Sequence, residues 1–328
     1  MYVLGIQGSP RKNGNSEYLL SSFLKECGAL GAETDVIRPQ ALDIRPCREL
    51  IVCEKKGFCP IKDQMEAEGY QKIKQADVVI LASPVFFYGV TAQVKVFIDR
   101  CQMFWGRKYK LKLRDPDRYT RQGFLLSVAA SGGKRLFEGV DLTAKYFFDA
   151  VSADYSGSLT YKKVEDAGDI IVRPELEKEI KEAVSHLLVP MQEKRRVIFV
   201  SADGQCRSPA AAAFAKELTK DRVRVLATGL GEPGKPDGFM VRAMAESGLD
   251  IKYQASLNLD KVLEGKAAIK EGDQVILVGS GEELKNAGSF PGRCLTWEVP
   301  GPENGDYDSY LAVKDEISAR VKQLAATL

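Results

Sequence analysis

Histidine is almost missing from this chain: His186 is the only one among 328 residues. Ser-His-Asp triads, Cys-His pairs and multi-histidine zinc sites all need imidazole, so the scarcity closes those chemistries. His186 itself falls in a charged helical stretch, Glu175 to Leu188, and reads as a helix residue rather than a general base. Long apolar runs are missing too, since none approaches the roughly 20 residues that span a bilayer. Met1 to Ile6 begins a strand rather than a signal peptide, so a cytoplasmic protein without a membrane partner is expected. Nor is there an excess of one charge: 47 Lys and Arg against 45 Asp and Glu give a net +2, too balanced to bind nucleic acid through bulk charge. Seven cysteines, an odd number in a chain this long, do not make a disulfide scaffold, and reduced thiols are expected.

What is present is a composition of 45% hydrophobic and 28% charged residues, which is average for globular proteins and enough for about two domains of roughly 150 residues each. Apolar runs bounded by turn residues occur at Tyr2 to Ile6, Thr34 to Ile37, Asp77 to Ala82 and Gly123 to Ala129. Helix-period stretches occur at Ser16 to Cys27, Tyr70 to Gln75, Thr91 to Met103 and Leu136 to Val151. Alternation of this kind predicts an α/β fold with a parallel sheet covered by helices on both faces, and such sheets bind ligands at the carboxyl ends of their strands. The pattern lapses around Pro190, where proline stops a helix and a polar segment reads as a linker over 190–195. It restarts at Val197 to Val200 and continues with strands near Val223 to Ala227, Gln274 to Val278 and Leu295 to Val299, then a helix from about Tyr307. The expectation is two doubly wound parallel-sheet domains, 1–189 and 196–328.

Two loops in the first domain carry chemistry. After the first strand, Gln7-Gly8-Ser9-Pro10-Arg11-Lys12-Asn13-Gly14-Asn15-Ser16 feeds directly into a helix, where free backbone N–H groups and the helix dipole suit a terminal phosphate. After a later strand comes Ser83-Pro84-Val85-Phe86-Phe87-Tyr88-Gly89-Val90-Thr91. Its three adjacent aromatics can wall a flat ring system or pack a subunit interface. With Phe97, Ile98, Asp99 and Arg100, these segments resemble the NAD(P)H-dependent FMN reductase family of the flavodoxin-like fold, which includes the iron-sulfur flavoproteins. The resemblance covers 1–189. It implies that Ser9, Arg11, Asn15 and Ser16 hold the FMN phosphate. It implies that Pro84, Val85, Phe86, Phe87, Tyr88 and Gly89 border the isoalloxazine ring, and that Ala130, Ser131, Gly132 and Gly133 complete the pocket. The flavin then carries the hydride chemistry, with NAD(P)H as co-substrate, and a homo-oligomer, a dimer, is implied.

Cys47, Cys53 and Cys59 stand where iron-sulfur flavoproteins place four cysteines, and Leu50 occupies the position of the second. A cubane cluster takes four thiolates, so the set is an incomplete iron-sulfur candidate and no resident metal is expected. The plainer alternative is a loop packed over the flavin or at a dimer contact. A charge run from Arg107 to Arg121 reads as a solvated face, with a docking site for a nicotinamide-cofactor phosphate as the alternative.

In the second domain, strand Val197 to Val200 runs into Ser201-Ala202-Asp203-Gly204-Gln205-Cys206-Arg207-Ser208-Pro209 and an alanine-rich helix. The segment is similar to the signature loop of low-molecular-weight tyrosine phosphatases and related arsenate reductases, and the resemblance extends over 196–328. Such a loop wraps an oxyanion in backbone N–H groups while the arginine binds two of its oxygens, which assigns Ser201, Gly204, Gln205, Cys206, Arg207 and Ser208 to oxyanion binding. The reactive positions depart from the family. Ser201 stands six residues before Arg207 in place of the cysteine nucleophile, Gly301-Pro302 replaces the Asp-Pro pair of the general acid, and Ser280 lies where arsenate reductases have a resolving cysteine. A serine hydroxyl without a base stays protonated, and Asp203 puts a carboxylate where the family has glycine.

The reading is therefore an FMN-dependent reductase, passing electrons from NAD(P)H to a small-molecule acceptor such as a quinone or free flavin, fused to a degenerate oxyanion or protein-docking module. The alternative is an FMN-containing redox sensor without steady turnover, and behind it an active phosphatase or arsenate reductase.

Overall fold

The computed structural model describes residues 1–231, 234–263, 268–285, 287, 290, 293–303 and 306–328. The chain divides into two compact units: Met1–Lys112 with Thr120–Gln192, and Leu113–Tyr119 with Glu193–Leu328.

The first unit runs β1 (Tyr2–Gln7), α1 (Asn15–Ala29), β2 (Glu33–Ile37), α2 (Val52–Lys56), α3 (Tyr70–Gln75), β3 (Val78–Pro84), α4 (Ala92–Arg100), α5 (Gln102–Trp105), β4 (Gln122–Ala129), α6 (Glu138–Val151), β5 (Asp154–Lys162) and α7 (Leu176–Glu193). Its sheet is ordered β2-β1-β3-β4-β5, all parallel, the doubly wound flavodoxin-like order. β1, β3 and β4 are apolar along their length because helices cover both faces. β5 was not foreseen: its sequence, DYSGSLTYK, is a half-exposed edge strand without an apolar run. Pro190 does not stop α7, which continues to Glu193. Leu187, Leu188 and Met191 are buried in the core, and that packing outweighs the one backbone hydrogen bond that proline removes. His186 lies exposed on the same helix.

The second unit runs β6 (Arg196–Ser201), α8 (Arg207–Thr219), β7 (Arg224–Gly229), α9 (Gly238–Glu246), β8 (Leu257–Asn258), α10 (Leu259–Leu263), β9 (Gln274–Val278), β10 (Arg293–Trp297) and α11 (Tyr307–Ala325). Its parallel sheet is ordered β10-β9-β6-β7-β8. The run Ala210 to Ala213 and Ala215 on α8 is fully buried, because small side chains let the helix lie close to the sheet and to α11. No helix among the described residues is long and apolar enough to cross a membrane.

The charge run at 107–121 is a solvated face only in part: Lys110, Lys112 and Arg114 are exposed, but its ends are not. Arg107 and Arg121 are buried. Arg121 donates to the carbonyls of Lys74, Ala76, Val151 and Ser152, so a cation closes the C-terminal ends of α3 and α6. Between them, Leu113–Tyr119 is part of the second unit. There Asp117 pairs with Lys216 at 2.6 Å, Arg118 pairs with Glu217 at 2.7 Å, and Arg114 exchanges backbone hydrogen bonds with Gly248 and Asp250 at 2.8 Å.

Arg100 fastens the cysteine-bearing segment. Its side chain and that of Asp63 are fully buried and paired, and it also donates to the carbonyls of Arg45 at 2.8 Å and Ile61 at 3.3 Å. Both ends of the 45–61 stretch therefore depend on one guanidinium. Asp63→Ala leaves that charge buried and unpaired, and should cost about 3 to 5 kcal/mol of unfolding free energy in urea titration. It should also speed proteolytic cleavage within 45–61. A loss below about 1 kcal/mol, the size of an exposed pair, would show that the segment is held elsewhere.

Candidate functional sites

In the first unit the strand order reverses between β1 and β3, so the loop after β1 opens at the carboxyl edge of the sheet where such folds bind ligands. Gly8 permits the turn: a Cβ there would lie 2.3 Å from Val94 Cγ2 and 2.8 Å from the Ala82 carbonyl. Thr91 Oγ1 donates to the Gly8 carbonyl at 2.6 Å, tying the loop to the start of α4. The loop then orders itself, with Arg11 N donating to Ser9 Oγ at 3.2 Å and Asn13 N to Glu17 Oε2 at 2.8 Å. Gly14 is the N-cap of α1 and gives no side-chain cap; Glu17 N and Tyr18 N bond back to the Gly14 carbonyl at 3.0 Å, and the positive end of the helix dipole lies at this loop.

The sequence-assigned residues divide here. Ser9 and Ser16 are buried in the loop. Arg11 is exposed and donates to the Glu165 carbonyl at 3.2 Å. Asn15 is largely spent on structure: Nδ2 donates to the Asp166 carbonyl at 2.7 Å, while Oδ1 accepts from Gly168 N and Ile170 N. Its side chain shapes the segment beneath the loop, a role the sequence does not reveal because the partners lie about 150 residues away.

The loops after β3 and β4 open on the same edge. Phe86 and Gly89 exchange backbone hydrogen bonds of 2.9 Å, and Phe87 and Tyr88 between them have φ of 48° and 63°. This is a tight two-residue turn with both central residues left-handed, built without the usual glycine or asparagine. Phe86, Phe87 and Tyr88 project into solvent. The turn rests on Gly139, where a Cβ would lie 2.2 Å from the Tyr88 carbonyl. Ser131, Gly132 and Gly133 form an exposed loop, fixed by Lys163 N on the Ser131 carbonyl and Lys162 Nζ on the Gly133 carbonyl.

The cysteine segment offers three thiols. Cys47 is exposed, Cys53 and Cys59 half-buried, and Leu50 is 47% exposed at the position where a fourth thiol would stand. Among the described residues no group of three or more Cys, His, Asp or Glu is placed to hold a metal ion. Burial pushes the Cys53 thiol up, and the neighbouring Cys59 and Cys47 push it further, so the protonated form of Cys53 is favoured. Glu49 and Ile51, on either side of Leu50, are both left-handed, with φ of 50° and 59°, a strained conformation for a β-branched residue.

In the second unit the strand order reverses between β6 and β9, and the loop after β6 begins there. Gly204 has φ of 67° and lies against Gly229, where a Cβ on either would come within 3.0 Å of the other's backbone. Ser201 and Ser208 are fully buried. Ser201 Oγ donates to Ser208 Oγ at 2.9 Å, and Ser208 Oγ donates to the Thr228 carbonyl at 2.8 Å, so the Ser201 proton is committed to this chain of hydroxyls. Cys206 is buried; burial, then the charges of Asp203 and Asp237, push its thiol up to about 12. Gln205 N donates to Asp203 Oδ1 at 3.0 Å.

Arg207, buried at the start of α8, reaches Glu283 with both terminal nitrogens, at 2.8 and 3.1 Å, and the Val299 carbonyl at 3.0 Å. The Arg207 hydrogen bonds hold the Glu283 carboxyl down at about 2, against burial. Sequence reading passed over Glu283. A local signal existed, since Ser280-Gly281-Glu282-Glu283 is a capping box, and Ser280 N donates to Glu283 Oε2 while Glu283 N donates to Ser280 Oγ. Its pairing with Arg207 across 76 positions had no signal. Gly301 lies beside this pair, where a Cβ would be 3.7 Å from Arg207.

Residues 1–156 match the family model described as NADPH-dependent FMN reductase, and residues 196–328 the one described as low molecular weight phosphotyrosine protein phosphatase. An iron-sulfur flavoprotein of Methanocaldococcus jannaschii is 42% identical over 100 residues, 30% of this chain and 51% of that protein. One of Methanosarcina thermophila is 34% identical over 131 residues, 40% of this chain and 64% of that protein. The chain thus spans about half to two thirds of these relatives' length. Arsenate reductase 1 of Bacillus cereus is 28% identical over 138 residues, 42% of this chain and 98% of that protein.

Native protein treated with Ellman's reagent at mildly alkaline pH should react at Cys47, Cys53, Cys59 and Cys294, while Cys27, Cys101 and Cys206, all buried, react only in denaturant. Rapid native labelling of Cys206 would show that the loop opens. Anaerobically purified protein should hold less than a cubane; about four irons and four sulfides per chain would contradict the three-thiol account.

Proposed function

We propose that this fusion of an FMN-reductase-like domain with a phosphatase-like domain is an FMN-dependent oxidoreductase, moving two electrons from NAD(P)H to a small acceptor such as a quinone or free flavin. Its second domain is a non-hydrolytic oxyanion or protein-docking module. The observation that carries the first part is the uncapped N-terminus of α1 at the point where the strand order reverses, in the segment that matches the reductase model.

When bound, FMN supplies the hydride chemistry. The chain's part is to bind and orient it. The amides at the start of α1, with Ser9 and Ser16, take the phosphate as acceptor in place of a side-chain cap. Arg11 adds a positive charge at the rim. Pro84 to Gly89 and Ser131 to Gly133 border the ring. In the second domain the Ser201 proton is held by Ser208, and Gly301 offers no acid to a leaving group, so hydrolysis lacks both nucleophile and proton donor.

Cofactor released from purified protein should have the mass of FMN, and NAD(P)H should be consumed steadily with a quinone; one reduction without turnover would sink the enzyme reading in favour of a sensor. Gly14→Asp gives α1 a cap of its own and a negative charge, so FMN affinity should fall roughly tenfold to a hundredfold, the worth of one or two charged hydrogen bonds. The thermal stability of the FMN-free variant should not fall. Wild-type turnover of p-nitrophenyl phosphate that disappears in Arg207→Ala protein would overturn the non-hydrolytic reading.

A further inference from the structure

The loop after β6 presents the parts of an anion site and already has carboxylates on them. α8 starts at Cys206 without a side-chain cap, so the positive end of its dipole faces the loop. Arg207, buried in the first turn, offers two parallel N–H bonds, the geometry in which guanidinium holds a carboxylate or two oxygens of a phosphate. Among the described residues its Nε is also buried without a partner. Both terminal nitrogens are engaged by Glu283. Glu283 reaches this place because β9 lies beside β6, with Val200 opposite Leu277, so the turn after β9 starts level with the loop after β6. Ser280 fixes the carboxylate from behind, donating to Oε2 from N at 2.9 Å and from Oγ at 3.1 Å. A second carboxylate, Asp203, takes the loop amide of Gln205.

We propose that Glu283 is an internal ligand of the Arg207 site, a latch that a free tetrahedral oxyanion must displace before it can bind. The inference rests on the second unit alone and stands or falls separately from the flavin reading. With its carboxyl held at about 2, Glu283 stays ionised throughout the physiological range, so acidification does not release it. What releases it is competition by a more highly charged anion, or withdrawal of the Ser280–Glu283 turn.

The test is calorimetric titration of inorganic phosphate into the full-length protein. Wild type should bind it weakly. Glu283→Ala should bind it about tenfold tighter or more, given the strength of charge-assisted bidentate pairs, and Glu283→Ala with Arg207→Ala should lose the gain. Ser280→Ala, which loosens the latch without touching the arginine, should show a smaller gain of the same sign. If Glu283→Ala proves misfolded by circular dichroism, Ser280→Ala and its Arg207→Ala double variant carry the same decision. Phosphate binding unchanged by freeing Arg207, or a gain that survives loss of Arg207, overturns the proposal. Because the readout is binding, a hydrolytic second domain would appear separately, as turnover of p-nitrophenyl phosphate.

Discussion

A helix that begins at the carboxyl end of a central strand leaves its first amides without intrahelical acceptors, and both units are built around that debt. The first meets it with glycine: Gly14 caps α1 without a side chain, Gly8 lets the backbone turn against Ala82 and Val94, and Arg11 and Asn15 bond to the 165–170 segment. The second meets it with a hydroxyl, Ser208 N donating to Ser201 Oγ. Asp203 takes the amide of Gln205 ahead of the helix, and Glu283 takes the Arg207 side chain. One topological feature thus yields a helix start capped by glycine in one unit and, in the other, a helix start whose arginine is paired with an acid.

The same contrast separates the two sets of cysteines. In the phosphatase-like loop, Cys206 is walled in and surrounded by carboxylates, and its thiolate is strongly disfavoured. In the first unit, Cys47, Cys53 and Cys59 lie near the surface on a segment pinned at its ends by Arg100. Left-handed Glu49 and Ile51 keep a sharply bent backbone around Leu50. Strain of about 1 to 3 kcal/mol per such residue persists only where the surroundings impose it.

How much could be read beforehand follows from where each residue's partners lie. Strands buried on both faces, such as Val78–Pro84, announce themselves as apolar runs, and the two loops are visible because glycine, serine and arginine cluster where strand gives way to helix. β5 escapes because an edge strand needs no apolar run. Arg107 and Arg121 read as surface charges, since nothing local says that distant carbonyls will solvate them. Asn15 and Glu283 are the instructive cases: both sit inside or beside recognisable motifs, and the role of each is set by partners 76 or more positions away.

The membership of Leu113–Tyr119 in the second unit also bears on how the protein is made. A ribosome completes every strand of the first sheet by Lys162, yet this segment, lodged between α5 and β4, must wait for Lys216, Glu217, Gly248 and Asp250 to emerge. At about 5 to 20 residues per second the delay is on the order of ten seconds. During that interval the nascent chain carries a finished sheet with an unsatisfied charged stretch in its middle. The order of synthesis therefore leaves this segment without its partners until most of the second unit has been made.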